Sequence, residues 1–182
     1  DFHPNGSWIY LAVERQSELH LLHIKNGSID STIAQSVSTL SKSIGFGGRQ
    51  AVSAVHVHPS GNFVYISNRT YASNKHQADN TIPCGEDNIA VFKINEHTGE
   101  VTPIQHCDTN GSLPRTFSID PSGQVLIAAN SENAKKVTEL GQVKQLPISL
   151  NLFVISPDGR LEQNDNIAFQ GNNQSLFWAG FL

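Results

Sequence analysis

Residues 58–70 read His58-Pro59-Ser60-Gly61-Asn62-Phe63-Val64-Tyr65-Ile66-Ser67-Asn68-Arg69-Thr70. Pro59 presets φ for a turn and Gly61 accepts the left-handed backbone that such turns need, so the segment opens by reversing the chain. The run Phe63–Ile66 that follows is β-branched and aromatic, which is strand composition, and it stops at Asn68-Arg69. Whether Arg69 is a solvated strand end or a working group depends on where the rest of the chain places it.

The same pattern occurs three times, in "DFHPNGSWIYLAVER" (1–15), "HVHPSGNFVYISNRT" (56–70) and "SIDPSGQVLIAANSE" (118–132). Each Pro-x-Gly is a turn with strands on either side, and each hairpin is followed by a further strand and turn: "ELHLLHIKNGSI", "NIAVFKINEHTGEV" and "LNLFVISPDGRL". Apolar residues occupy both parities, as in strands covered on both faces. Four short strands per unit, repeated along the chain, make an all-β fold, a β-propeller of four-stranded antiparallel blades. The expected units are 1–30, 51–106 and 113–163, with closing strands in 164–182. Successive turns begin at Pro4, Pro59 and Pro121, a spacing above the roughly 40–45 residues of a compact blade. The surplus falls in 31–50, read as a polar connection, and in the interruptions 71–86 and 134–148. Within the last, "AKKVTELGQV" suits a short helix that Gly141 limits, and Gly45-Phe46-Gly47-Gly48 reads as a flexible connection. Propellers need about four or more blades to close, so the expectation is the C-terminal part of a larger, seven-bladed propeller, with residue 1 inside a strand.

Composition narrows the function. The chain of 182 residues is 38% hydrophobic, enough for one globular core, and its 12 Lys+Arg against 16 Asp+Glu give a net charge of −4. Without a basic run to follow a phosphate backbone, nucleic acid is not an expected partner. No apolar run approaches the ~20 residues of a membrane span, so no membrane partner is expected either. The start lacks signal-peptide character, and the cytoplasm is the expected compartment. Absence of Met marks the chain as a fragment or processed product. Cys84 and Cys107 are read as free thiols. The Asn-x-Ser/Thr sites at Asn5, Asn26, Asn68, Asn110 and Asn173 are read as turn chemistry rather than glycan acceptors.

The repeat makes positions comparable. Ten residues after each Pro stand Glu14, Arg69 and Ser131, which should ring one mouth of the central channel. Positions six before and ten after the Pro are equidistant from the turn, so Arg115 belongs at that mouth too, with Ser53 its counterpart. Two guanidiniums and a carboxylate gathered there suit an anionic substrate, since the arginine fork matches carboxylate or phosphate bidentately. They equally suit an ion pair locking adjacent blades. His56 and His58 share a strand face at a possible metal spacing but have no third ligand, and packing or hydrogen bonding accounts for them. Cys107 lacks the histidine partner of a nucleophile.

Together, "FHPNGSWIYLAVE", "VHVHPSGNFVYISNRT", "DNIAVFKINEHTGEV", "LPRTFSIDPSGQVLIAAN" and the tail with Trp178 resemble the C-terminal half of the seven-bladed propeller lactonase family, which includes propeller-type 6-phosphogluconolactonases and fungal carboxymuconate lactonising enzymes. The resemblance implies that Glu14 and Arg69 are catalytic and that Arg115, matching a Pro-Arg-x-Phe arginine, binds substrate. Ser131 and His56 join the candidate substrate-binding set. It also implies an Arg-His pair ahead of Asp1-Phe2. The expected activity is hydrolysis of a sugar-acid lactone such as 6-phosphogluconolactone, with no metal or other cofactor and a small anionic lactone or carboxylate as partner. A non-catalytic ligand- or protein-binding propeller and a muconate-type cyclase stand as alternatives.

Overall fold

A computed structural model describes residues 1–41, 49–71, 81–138, 140–169 and 175–181. The first blade contains β1 (Trp8–Val13), β2 (Glu18–Lys25), the short β3 (Ser28–Ile29) and β4 (Gln35–Ser38). In the second are β5 (Arg49–Val57), β6 (Phe63–Tyr71), an inserted β7 (Thr81–Ile82), β8 (Asn88–Ile94) and β9 (Val101–Asp108). The third has β10 (Pro114–Ile119), β11 (Val125–Asn130), inserted β12 (Ala134–Val137) and β13 (Val143–Leu146), then β14 (Ser149–Ile155) and β15 (Leu161–Ala168). The orders β5-β6-β8-β9 and β10-β11-β14-β15 are antiparallel meanders, so the four-stranded blades expected from the repeat are present. Gly6, Gly61 and Gly123 turn the inner hairpins at φ of 73°, 77° and 74°, a backbone that L side chains adopt only under strain. No helix is long and apolar enough to cross a membrane among the described residues.

The blades stack face to face. Trp8, Tyr10, Leu19 and Leu21 of the first blade pack on Val64, Ile66, Phe92 and Val101 of the second. The opposite face of the second, Phe63, Tyr65, Ile89 and Val91, packs on Phe117, Leu126, Phe153 and Leu161 of the third. This is why β6 is buried at eight successive positions and shows no alternation. Each fully buried aromatic or branched side chain contributes about 1.5–3 kcal/mol.

Three expectations need correction. Residues 31–50 are not only a connection: they contain β4, the outer strand of the first blade, which pairs Leu19 with Val37 and Leu21 with Gln35. Among the described residues of 134–148 there is no helix. Here β12 and β13 pair as a hairpin around Gly141 at φ 75°, and β12 adds in parallel to β7 of the neighbouring blade. Cross-blade hydrogen bonding outweighs the weak helix propensity of a segment broken by glycine. In the tail, β15 covers 164–168, whereas 175–181 make no strand. The Gly45–Gly48 connection and Asn173 lie outside the described residues. Cys84 and Cys107 are both free.

Candidate functional site

Arg69 pairs with Ala51 near the end of the β5–β6 ladder. Its Nη2 donates to Glu14 Oε1 at 2.7 Å, joining the second blade to the first. The two partners sit in different environments: the arginine side chain is 7% exposed and the glutamate 60%. Behind the guanidinium lies the Tyr71 ring, 4.8 Å from its centroid. Nε of Arg69 is buried and has no hydrogen-bond partner. The backbone N–H of Val52 bonds the Glu14 carbonyl at 3.1 Å, fixing the stem of the carboxylate.

Arg115 arrives by a different route. It occupies the register shift between Pro114 and Thr116, a bulge that turns its side chain out of the ladder. Leu113, just before, has φ of 54°, which a branched residue ahead of proline avoids. Its backbone is held on both sides. The N–H donates to Asp87 Oδ1 at 3.1 Å, and the carbonyl accepts from Ser131 N at 3.2 Å and Ser131 Oγ at 2.7 Å. The Arg115 guanidinium rests 4.9 Å from the Phe177 ring. Leu176 N–H bonds the Ser131 carbonyl at 3.2 Å, drawing the tail across this mouth.

Two residues that the repeat did not single out organise the site. Tyr71 follows Arg69 by two positions, on the same side of β6, and is paired in register with Arg49. Burial pushes its phenol above the ordinary range, while Arg69, Arg115 and Arg49 pull it back and Glu14 adds to the rise. Tyr71 therefore stacks on Arg69 within the electrostatic field of Glu14, Arg115 and Arg49. Spacing on one strand could have found it. Asp87 is the second. Its carboxylate accepts the N–H of Thr70 (3.0 Å) beside Arg69 and of Leu113 (3.1 Å) beside Pro114-Arg115. Lys136 Nζ lies 2.6 Å away. Burial raises the Asp87 carboxyl above its ordinary range, and Lys136 and the two backbone donors oppose that rise. Asp87 immediately precedes β8, just past the 71–86 interruption, and its counterpart in the third blade is the apolar Ile148, so the repeat does not mark it.

The ion pair brings Glu14 and Arg69 together, and Asp87 ties the backbone beside Arg69 to that beside Arg115. Ser131 is at the same end, but its hydroxyl proton is committed to Leu113. His56 is at the other end of the blade. It pairs with Tyr65, four residues along β6 from Arg69, roughly 13 Å at ~3.3 Å per residue. There it stands edge-on to Phe117 at 4.8 Å and 3.8 Å from Asp1. Burial holds its pKa below the usual imidazole value. His58 bonds Ser60 and Gly123. Among the described residues no three His, Cys, Asp or Glu side chains converge as metal ligands. A concavity of about 620 Å³ at the turn end mixes Lys93 and Glu96 with the paired Asp158 and Arg160, and gathers no single charge.

Four-stranded antiparallel blades stacked face to face define a β-propeller fold. The chain belongs to the seven-bladed β-propeller lactonase family, whose model matches residues 1–143. It is 30% identical to a 6-phosphogluconolactonase of Bacillus subtilis strain 168 over 83% of its own length and 40% of the relative's. A 6-phosphogluconolactonase of Formosa agariphila is 31% identical, over 82% of this chain and 38% of the relative. A crystal structure of a protein from Lactobacillus plantarum superposes with a TM-score of 0.68 at 23% identity, covering 91% of this chain and 39% of that one. The chain thus spans about 40% of the length of the curated relatives it matches.

Proposed function

We propose that the protein to which these blades belong hydrolyses the lactone of a sugar acid, with the substrate anion held at the Glu14–Arg69–Arg115 mouth. The observation that carries this reading is the unequal pair. A structural ion pair between blades would be enclosed and fully hydrogen-bonded, because an unpartnered buried donor costs about 1–3 kcal/mol. Here Arg69 is enclosed but retains an unpartnered Nε, and Glu14 faces solvent. Such an arrangement keeps the guanidinium preorganised while its carboxylate stays accessible. Relatives named 6-phosphogluconolactonase support the reaction class, and a phosphorylated sugar lactone is the substrate we assign.

In this scheme water attacks the lactone carbonyl, the tetrahedral oxygen takes up negative charge, and the ring C–O bond breaks to leave a hydroxyl and a carboxylic acid, which releases its remaining proton to solvent as the carboxylate product. Glu14 accepts the proton of the attacking water and passes it to the departing ring oxygen. Arg69 supplies fixed positive charge to the oxyanion, the interaction that grows between ground and transition state. Arg115 holds the anionic end of the substrate. Arg69→Ala in the full-length protein is expected to lower lactone hydrolysis by about 100-fold or more, on the scale of losing an oxyanion donor, with circular dichroism unchanged. Turnover equal to wild type would remove Arg69 from the reaction.

A further inference from the structure

Arg49 opens β5 and pairs directly with Tyr71, two residues along the same ladder from the Ala51–Arg69 pair. Side chains two apart on a strand point to the same side, and paired residues point to the same side as each other, so Arg49, Ala51, Arg69 and Tyr71 share one face. Arg49 and Arg69 are diagonal neighbours on that face, about 7–8 Å apart. The Tyr71 ring, opposite Arg49, lies 4.8 Å from the Arg69 guanidinium carbon. Arg49 is exposed, and among the described residues its guanidinium has neither an ion pair nor a hydrogen bond. It was not among the residues that counting from the turns singles out, because ten residues before Pro59 the other units offer no matching charge.

The carboxylates at this end of the ladder are engaged elsewhere. Glu14 pairs with Arg69, and Asp87 pairs with Lys136. Glu86 accepts the Ser41 N–H at 2.9 Å, the Ser41 hydroxyl at 2.8 Å and the Asn88 amide at 2.7 Å. Arg49, Arg69 and Arg115 all act on the Tyr71 phenol, and Glu14 is the one carboxylate that acts with them. Like charges at such separations repel, and an anion placed among them removes that repulsion. The rung between the two arginines is rigid. Gln50 Nε2 donates to Thr70 Oγ1 at 3.0 Å, its Oε1 accepts the Glu86 N–H at 3.1 Å, and Thr70 Oγ1 donates to the Glu86 carbonyl at 3.2 Å. Gly85 is required there for space rather than for conformation, since a Cβ would collide with the Gln50 and Thr70 side chains. The backbone beneath Arg49 and Arg69 is therefore set before any ligand arrives, which spares part of the ordering cost of binding.

We propose that Arg49 is a third anion-binding residue of the mouth and that it selects a substrate group carrying two negative charges, of which a phosphoryl group is the chemical class. A phosphate monoester carries about −1.5 to −2 charges at pH 7, and a planar guanidinium fork meets a pair of its oxygens. Arg49 and Arg115 divide that group between them, and Arg69 is left to the carbonyl oxygen. The choice of lactone rests on the hydrolysis proposed above, whereas binding of the anion by Arg49 is measured without any reaction.

The test compares the full-length protein with Arg49→Gln, a change at an exposed residue that leaves the Gln50–Thr70 rung in place. Binding of inorganic phosphate is measured by calorimetric titration, and steady-state hydrolysis is measured on 6-phosphogluconolactone and on gluconolactone. Arg49→Gln is expected to weaken phosphate binding and to raise KM for the phosphorylated lactone, each by about tenfold, the scale of one charge-assisted hydrogen bond. Its kcat should stay within about twofold of wild type, since the lost interaction is made equally in ground and transition state. Kinetics on gluconolactone should be unchanged, and Arg49→Lys should recover only part of the loss. Wild-type phosphate affinity in Arg49→Gln, an equal rise in KM for both lactones, or no phosphate binding by the wild type would overturn the proposal. Phosphate binding that depends on Arg49 in a protein that turns over neither lactone would instead overturn the hydrolysis and uphold the anion site.

Discussion

Asp87, just ahead of β8, and Lys136, on the inserted β12 of the neighbouring blade, meet with Nζ 2.6 Å from a carboxylate that has no exposure to solvent. That carboxylate also fixes the backbone beside Arg69 and beside Arg115, through Thr70 and Leu113. Lys136→Met is expected to destabilise the fold by about 3–5 kcal/mol, because it leaves a buried charge without its partner. Chemical denaturation at pH 7 measures this. Asp87→Asn combined with Lys136→Met should recover part of the loss, since no uncompensated charge then remains.

The same variant has a defined pH dependence. Burial already raises the Asp87 carboxyl against the pull of Lys136, and without Lys136 the rise is unopposed. A carboxyl raised in the folded state adds stability below its unfolded pKa and loses it as pH climbs through the folded value. The penalty of Lys136→Met should therefore be smallest near pH 4 and grow towards neutrality. A penalty that is flat with pH would exclude Asp87 as the titrating group.

Tyr71 offers Arg69 a ring face. Tyr71→Phe keeps the face and Tyr71→Ala removes it. A cation–π contact of this kind contributes about 0.5–2 kcal/mol, so Tyr71→Ala should raise KM for an anionic lactone by roughly 3- to 30-fold. Tyr71→Phe should stay near wild type. Steady-state kinetics on the full-length protein separates the two, and equal effects would assign the role to the hydroxyl.

Arg115 stands in a bulge with its guanidinium on Phe177. If it holds the anionic end of the substrate, Arg115→Ala should raise KM for a phosphorylated lactone but not for its uncharged analogue. Arg115→Lys should recover little, because an ammonium cannot reproduce a planar fork lying on a ring.

His56 tests the other end of the blade. Burial lowers its pKa from the ordinary value of 6.5. In the folded state it resists protonation, so its contribution is full above 6.5 and declines as pH falls from there to the folded pKa. His56→Gln should flatten that part of the stability profile in thermal melts and leave lactone turnover intact.

The stretch from His58 to Arg69 was legible because Pro-x-Gly fixes the turn; counting from Pro59 sets Arg69 level with Ser53, and a register shift between Val52 and Val55 moves it to the rung of Ala51. Glu14 and Arg115 followed by the same count. The β4 strand was not legible, since "QSVS" offers only Val37 to the core and its pairing with β2 is a tertiary fact. The β12–β13 hairpin owes its form to β7 in another blade, a partner that local periodicity does not contain. His56 was grouped with the mouth by resemblance, and strand register separates it from Arg69.

The parallel pairing of β7 with β12 joins Thr81 to Lys135 and Ile82 to Lys136, residues more than fifty positions apart on different blades. Contacts of such separation carry a large chain-closure entropy and form only once intervening structure has shortened the path. The two insertions can therefore pair only after their blades have docked, and the Asp87 clamp on Thr70 and Leu113 closes at that step. In refolding, burial of Tyr10 and Tyr65 should precede recovery of ligand binding, so the arginine mouth is completed after the blades that carry it.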